Sequence, residues 1–146
     1  MTVTFVGHRD TPENVYGLLY EALWTLIQKE GANCFYVGEQ GAFDRMAARA
    51  LCELKKIYSH IEYYVVLAYM PTLNSARERT APTLLPAEVA QAPAKYSLDR
   101  RNRWMIDKSD VVIAYVNRSC GGAASFRKRA ITKGKRVINL AQKAFE

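Results

Sequence analysis

Residues 111–116 read Val-Val-Ile-Ala-Tyr-Val, an unbroken apolar run. A strand with one wet face alternates apolar and polar residues, so a run like this demands cover on both faces. Crossover helices on either side of a parallel sheet supply that cover in α/β proteins. The run leads on to Gly121-Gly122. A buried strand that passes through a glycine pair into a helix is how such folds cradle an anion. The start of the helix presents N–H groups without intrahelical partners, and glycine lets a phosphate come close to the backbone. The same layout recurs at Phe5-Val6-Gly7-His8-Arg9 and at Gly38-Glu39-Gln40-Gly41-Ala42-Phe43-Asp44.

Around these loops, strand and helix signals alternate. Residues 3–7 form a short strand. Thr11, Pro12 and Glu13 then predict a helix start, as N-cap, first-position proline and first-turn acid. Val15, Leu18, Leu19, Ala22, Leu26 and Ile27 recur at helical spacing up to Gly31. Residues 33–37 are the second strand, and Phe43, Met46, Ala47, Ala50, Leu51 and Leu54 stripe the second helix. A third strand is expected over 61–69, a helix over 98–108 and a fourth strand over 110–116. A last helix from about 122 to 133 leads to a strand over 136–140.

The fold class that follows is a single Rossmann-like, doubly wound α/β domain over residues 1–146. Its sheet is mostly parallel, of about five strands, with helices on both faces. Right-handed crossovers gather the carboxyl ends of the strands at one edge, where ligands bind at a topological switch point. All three loops follow strands, so all three face that edge. Residues 70–98 differ: they hold four of the five prolines and little periodicity. They are expected to form a flap.

Composition narrows the function. The chain has 146 residues, 49% apolar and 24% charged, ordinary for a soluble domain. No apolar run approaches the roughly 20 residues of a membrane span. Residues 1–5 lack the basic stretch of a signal peptide. Cys34, Cys52 and Cys120 are odd in number and unrelated in spacing, which argues against a disulfide framework or a zinc site. The expectation is a cytoplasmic protein with reduced thiols, no metal and no cofactor beyond a bound nucleotide. Net charge is +7, and from Arg100 to Arg136 eleven Lys or Arg face only Asp107 and Asp110. Such a field attracts a nucleotide, a polyphosphate or nucleic acid, though many of these side chains equally solvate an outer helix face.

The candidate ligand-binding residues are Gly7, His8, Arg9, Gly38, Gly41, Asp44, Arg101, Asn102, Gly121, Gly122 and Ser125. Arg9 suits a phosphate or carboxylate and His8 a ribose or phosphate; the plainer alternative is a tight turn with His8 satisfied by backbone. Asp44, in the first helical turn, either accepts from ribose hydroxyls or complements the helix dipole. Arg101 and Arg103 reach a phosphate with Asn102 fixing a neighbouring loop, or form a solvated charge run. Asp44 and Asp107 are the catalytic candidates, and Asp107 with Asp110 makes a conceivable hydrolase carboxylate pair unless Asp110 only turns the chain. Neither G-x-G-x-x-G nor a Walker lysine motif occurs, which disfavours a dinucleotide dehydrogenase or a P-loop ATPase.

These residues resemble the SLOG superfamily, the Rossmann-like group that includes the Smf/DprA proteins and the LOG phosphoribohydrolases. The YpsA-like branch is the most similar within it. The resemblance rests on Val6-Gly7-His8-Arg9, on Gly38 to Asp44, on R-N-R-W-M-I-D-K-S-D-V-V-I-A-Y from Arg101, and on K-G-K-R-V-I-N-L from Lys133. It implies a domain that binds or senses nucleotides or nucleotide-derived molecules, and homodimers are usual in the group. Tyr16, Tyr20 and Trp24 are candidates for such an interface. Related enzymes place a catalytic glutamate in the helix after the glycine turn. Here Ser125 and Phe126 stand in that neighbourhood, Ala123 replaces the usual threonine, and no carboxylate occurs from Val111 to Phe145.

Cleavage of an N-glycosidic bond needs a carboxylate at the oxocarbenium-like centre. The favoured reading is therefore a binding or sensing module rather than an enzyme. A nucleotide or nucleoside hydrolase acting through Asp44 or Asp107 is the alternative. Single-stranded nucleic-acid binding, as in Smf/DprA relatives, is the third.

Overall fold

The computed structural model describes residues 1–70 and 81–143. Its sheet holds six strands among the described residues, all parallel, in the order β4-β3-β2-β1-β5-β6. The strands are β1 (Thr2–Gly7), β2 (Cys34–Val37), β3 (Glu62–Val66), β4 (Thr83–Leu84), β5 (Val111–Tyr115) and β6 (Arg136–Asn139). The helices are α1 (Tyr16–Glu30), α2 (Ala42–Ile57), α3 (Ala87–Ala90), α4 (Ser97–Asp107), α5 (Gly122–Thr132) and α6 (Leu140–Lys143). The Rossmann-like α/β class stands.

The apolar run of β5 is explained by its neighbours. Val111, Ile113 and Tyr115 join Val3, Phe5, Phe35 and the α1 and α2 stripes in the larger core. Val112, Ala114 and Val116 turn the other way, into a smaller core with Val6, Ile106 of α4 and Ala130 of α5. β5 is buried at every position because helices lie on both sides.

The winding positions the site. From β1 the chain moves outward through α1 to β2, through α2 to β3 and on to β4 at the edge, then returns across the sheet through α4 to β5. Between β1 and β5 the direction reverses, and their carboxyl ends lie side by side with Gly7 opposite Tyr115. That is the crevice in which open α/β sheets bind ligands.

Several sequence expectations are corrected. The sheet has six strands rather than five, because Thr83 and Leu84 pair with Val65 and Val66 at an edge. Residues 81–98, expected as part of an irregular flap, contain β4, α3, the 3-10 turn Ala94–Tyr96 and the start of α4; residues 71–80 lie outside the described residues. The third strand ends at Val66 rather than at 69. Thr11 does not cap a helix: its hydroxyl donates to the His8 carbonyl at 2.6 Å, and extended Pro12 precedes a 3-10 turn, Glu13–Val15, before α1.

Candidate functional site

At the β1–β5 crevice lies a hollow of about 800 Å³, within the roughly 300–1,000 Å³ range of small-molecule sites. The three sequence-flagged loops converge on it. Gly7, His8 and Arg9 line it from β1, Asp44 from α2, and Gly121, Gly122 and Ser125 from α5. Arg101 and Asn102 enter from α4. Gly38 and Gly41 stand behind this wall, and Asp107 lies away from it.

The glycines divide into two kinds. A Cβ on Gly7 would stand 2.3 Å from the Phe43 ring. On Gly41, whose φ is 92°, it would meet the Arg9 Cα at 2.4 Å. On Gly38 it would sit 2.8 Å from Asp44 Oδ2 and 3.2 Å from Arg101 Cζ. These three make room for the protein's own atoms rather than for a ligand. Gly121 and Gly122 differ, since a Cβ on either meets nothing within 4 Å. Gly121 caps α5 without a side-chain hydrogen bond. Gly121 and Gly122 are both exposed, so the start of α5, where a helix has amides without intrahelical partners and the positive end of its dipole, is open to solvent.

His8 serves the scaffold. It is buried, and its Nε2 accepts the Asn117 N–H at 3.2 Å, tying the ends of β1 and β5. Burial, then the nearby Arg118 charge, holds its pKa below the ordinary value, consistent with a neutral ring whose Nε2 accepts. Its Nε2 is thus taken by a backbone partner, as in the tight-turn alternative, while the residue still lines the hollow. Across the same gap, Arg118 grips Asp10 with one nitrogen, at 2.9 and 2.7 Å to the two carboxylate oxygens. That hydrogen bond is the main reason the Asp10 carboxyl titrates below its usual range.

Arg101 is the largest fully buried side chain among the described residues, 1% exposed. Its Nε donates to Asn102 Oδ1 at 2.9 Å and Nη1 to the Val66 carbonyl at 3.4 Å. Asp44 Oδ2 accepts the Gln40 N–H at 2.8 Å. Desolvation pushes the Asp44 carboxyl up to about 6, against the pull of the Gln40 amide and of Arg101. Burial lowers the pKa of Arg101, with Asp44 and Glu39 opposing. Arg101 is thus part of the deep wall rather than a mobile arm reaching over an edge.

Asp107 is fastened elsewhere. Arg129 donates to it from Nε at 3.2 Å and from Nη2 at 2.8 Å, joining α4 to α5. Burial works against its ionisation, but Arg129, Lys133 and Lys135 outweigh it and leave its pKa lowered. Asp110 accepts the Thr2 N–H at 2.8 Å, aligning β5 with β1. Asp107 and Asp110, the conceivable hydrolase pair, each have a structural partner, and neither is among the described residues that line the hollow. Among the described residues no three His, Cys, Asp or Glu side chains converge to hold a metal. No described helix is long and apolar enough to cross a membrane.

Sequence reading missed Asp10, Lys95, Leu98, Arg118 and Phe126, all of which line the hollow. Asp10 and Arg118 are 108 residues apart and meet only through the parallel register of β1 and β5. Among the described residues the hollow's cations are Arg9, Lys95, Arg101 and Arg118, and its acids Asp10, Asp44 and Asp99. Asp99 is bound to Arg103 at 2.9 Å. With Asp44 ionised the balance of these described residues is a single positive charge.

No protein-family model matches this chain. No curated protein matches it either. Among solved structures it is similar to DNA processing protein A (DprA) from Streptococcus pneumoniae, with a TM-score of 0.67 at 18% identity. The alignment covers 93% of this chain and 48% of DprA, so the chain spans about half the length of that protein. The two share a fold.

Proposed function

We propose that the hollow binds a nucleotide or nucleotide-derived small molecule by its phosphate, and that the domain is a binding or sensing module. The observation that carries this reading is the exposed start of α5, where Gly121 and Gly122 line the hollow without a side chain in front of the helix N-terminus, at a topological switch point. Arg9 and Lys95 line the same hollow. Leu98, Ala123 and Phe126 add apolar surface of the kind a base or sugar covers. The DprA-like fold agrees with a nucleotide-related role, and the YpsA-like motifs point to that branch. A sensing role fits a helix α5 that carries no carboxylate and an Asp107 held by Arg129.

Thermal-shift screening of nucleoside phosphates, ADP-ribose derivatives and NAD-type molecules tests the proposal, because a ligand of the folded state raises apparent stability by mass action. A hit is expected, and Gly122→Ala should weaken it about tenfold; a flat response across the panel overturns the reading. Release of free base that vanishes in Asp44→Asn would instead make the protein a hydrolase.

One observation favours a second reading. Lys128 and Lys133 are exposed on and after α5, and the similar solved structure is a DNA processing protein. A single strand crossing this surface would lose affinity with salt at a log–log slope of about −0.7 per neutralised phosphate. Binding of a free nucleotide with little salt response decides for the small molecule.

A further inference from the structure

Two opposite charges share one corner of the hollow without sharing a hydrogen bond. Asp44 and Arg101 both line it, and both crowd the α-carbon of Gly38 from the same side. Each is held independently, Asp44 by the Gln40 amide and Arg101 by Asn102 and the Val66 carbonyl. They act on each other through space. An anion entering this corner is attracted by Arg101 and repelled by an ionised Asp44. A protonated Asp44 removes the repulsion and offers an O–H donor.

We propose that Asp44 and Arg101 form a proton-operated couple in the wall of the hollow, so that the site takes up an anionic ligand together with a proton. This rests on the reading of the hollow as an anion site and adds its linkage to pH. The charges around Asp44 come from every side: Glu39 in the preceding loop, Arg45 on α2 and Arg101 on α4. Arg9, from the loop after β1, and Tyr69, beyond β3, act on Arg101; His8 lines the same hollow. Burial is the largest influence on the carboxyl and Glu39 adds to it, which brings its titration to about 6. A bound anion raises the proton affinity of Asp44, and by reciprocity protonation raises affinity for the anion by the same factor.

The test is calorimetric titration with sulfate and with a 3′,5′-cyclic nucleotide, whose phosphodiester keeps a constant charge between about pH 5 and 8. Buffers of different ionisation heat report proton uptake. Binding about tenfold tighter at roughly pH 5.5 than at pH 8 is expected, with net proton uptake near the midpoint. Asp44→Asn should bind at pH 8 as the unaltered protein does at pH 5.5. Equal affinity at both pH values overturns the couple and leaves the anion site standing. Retained pH dependence in Asp44→Asn does the same and transfers the effect to His8. Failure of both probes to bind at either pH overturns the couple and the anion site together. A carbon-detected titration of the Asp44 carboxyl in the unaltered protein guards against a poorly folded variant: its midpoint must rise when the probe is added, and an unmoved midpoint overturns the couple.

Discussion

Asp44 illustrates how one residue links stability to the site. Its folded pKa of about 6 exceeds the ordinary 3.8, so its stabilising contribution is complete below pH 3.8 and is lost as pH rises through 6. Asp44→Asn, which mimics the neutral form, should raise unfolding free energy at pH 7.5 by about 1–3 kcal/mol and flatten the pH profile between 4 and 6. Denaturant midpoints across that range check it; a loss of stability at pH 7.5 would mean that buried Arg101 requires the counter-charge. The glycines make a second residue-scale comparison. Gly7→Ala drives a methyl into the Phe43 ring and should cost about 1–3 kcal/mol or more. Gly122→Ala meets open space and should change stability by no more than about 0.5 kcal/mol. At this scale the sequence marked the right loops but not the use made of each residue. Gly38, Gly41 and Gly121 look alike in sequence, and only three-dimensional neighbours separate a glycine that admits Arg9 from one with open space where a side chain would stand. His8 likewise had two readings in the sequence, and only the fold brings the Asn117 amide to its Nε2.

Helix α4 joins two kinds of contact. Toward the sheet it presents Arg101 and Leu98 to the hollow, and at its far end Asp107 binds Arg129 of α5. That pair is partly exposed, with side chains 27% and 37% accessible for Arg129 and Asp107, so Asp107→Asn should cost about 0.2–1 kcal/mol and leave nucleotide affinity unchanged. Arg118→Ala removes a more exposed partner, that of Asp10, but one that lines the hollow. It should cost little stability while weakening phosphate binding several-fold. Chemical denaturation and calorimetry on the two variants separate a fastening from a binding role; equal affinity losses would contradict that assignment. Elements with a long stripe were legible: Phe43, Met46, Ala47, Ala50, Leu51 and Leu54 are buried on α2 as their spacing predicts. β4 was not. Two residues cannot show periodicity, and the prolines at 82 and 86 read as loop although proline is at home beside an edge strand.

For the whole molecule, the unbroken apolar run at 111–116 and the strand–helix alternation implied a parallel sheet covered on both faces, and that is the architecture observed. The strand order was not legible, because order depends on which crossovers turn back, and the segment that turns back is the least periodic part of the chain. Yet the order has its own consequence. β1 is synthesised first and is completed late: its partner β5 joins it across a separation of 108 residues. At about 5–20 residues per second, translation leaves the side of β1 that awaits β5 unpaired for roughly 5–20 seconds. An open apolar edge is a template for another chain. Soluble yield should therefore fall when elongation is slowed between residues 40 and 110, while the melting midpoint of the purified protein stays the same. On this reading the pace of translation, rather than the stability of the finished fold, sets how much of the protein survives its synthesis.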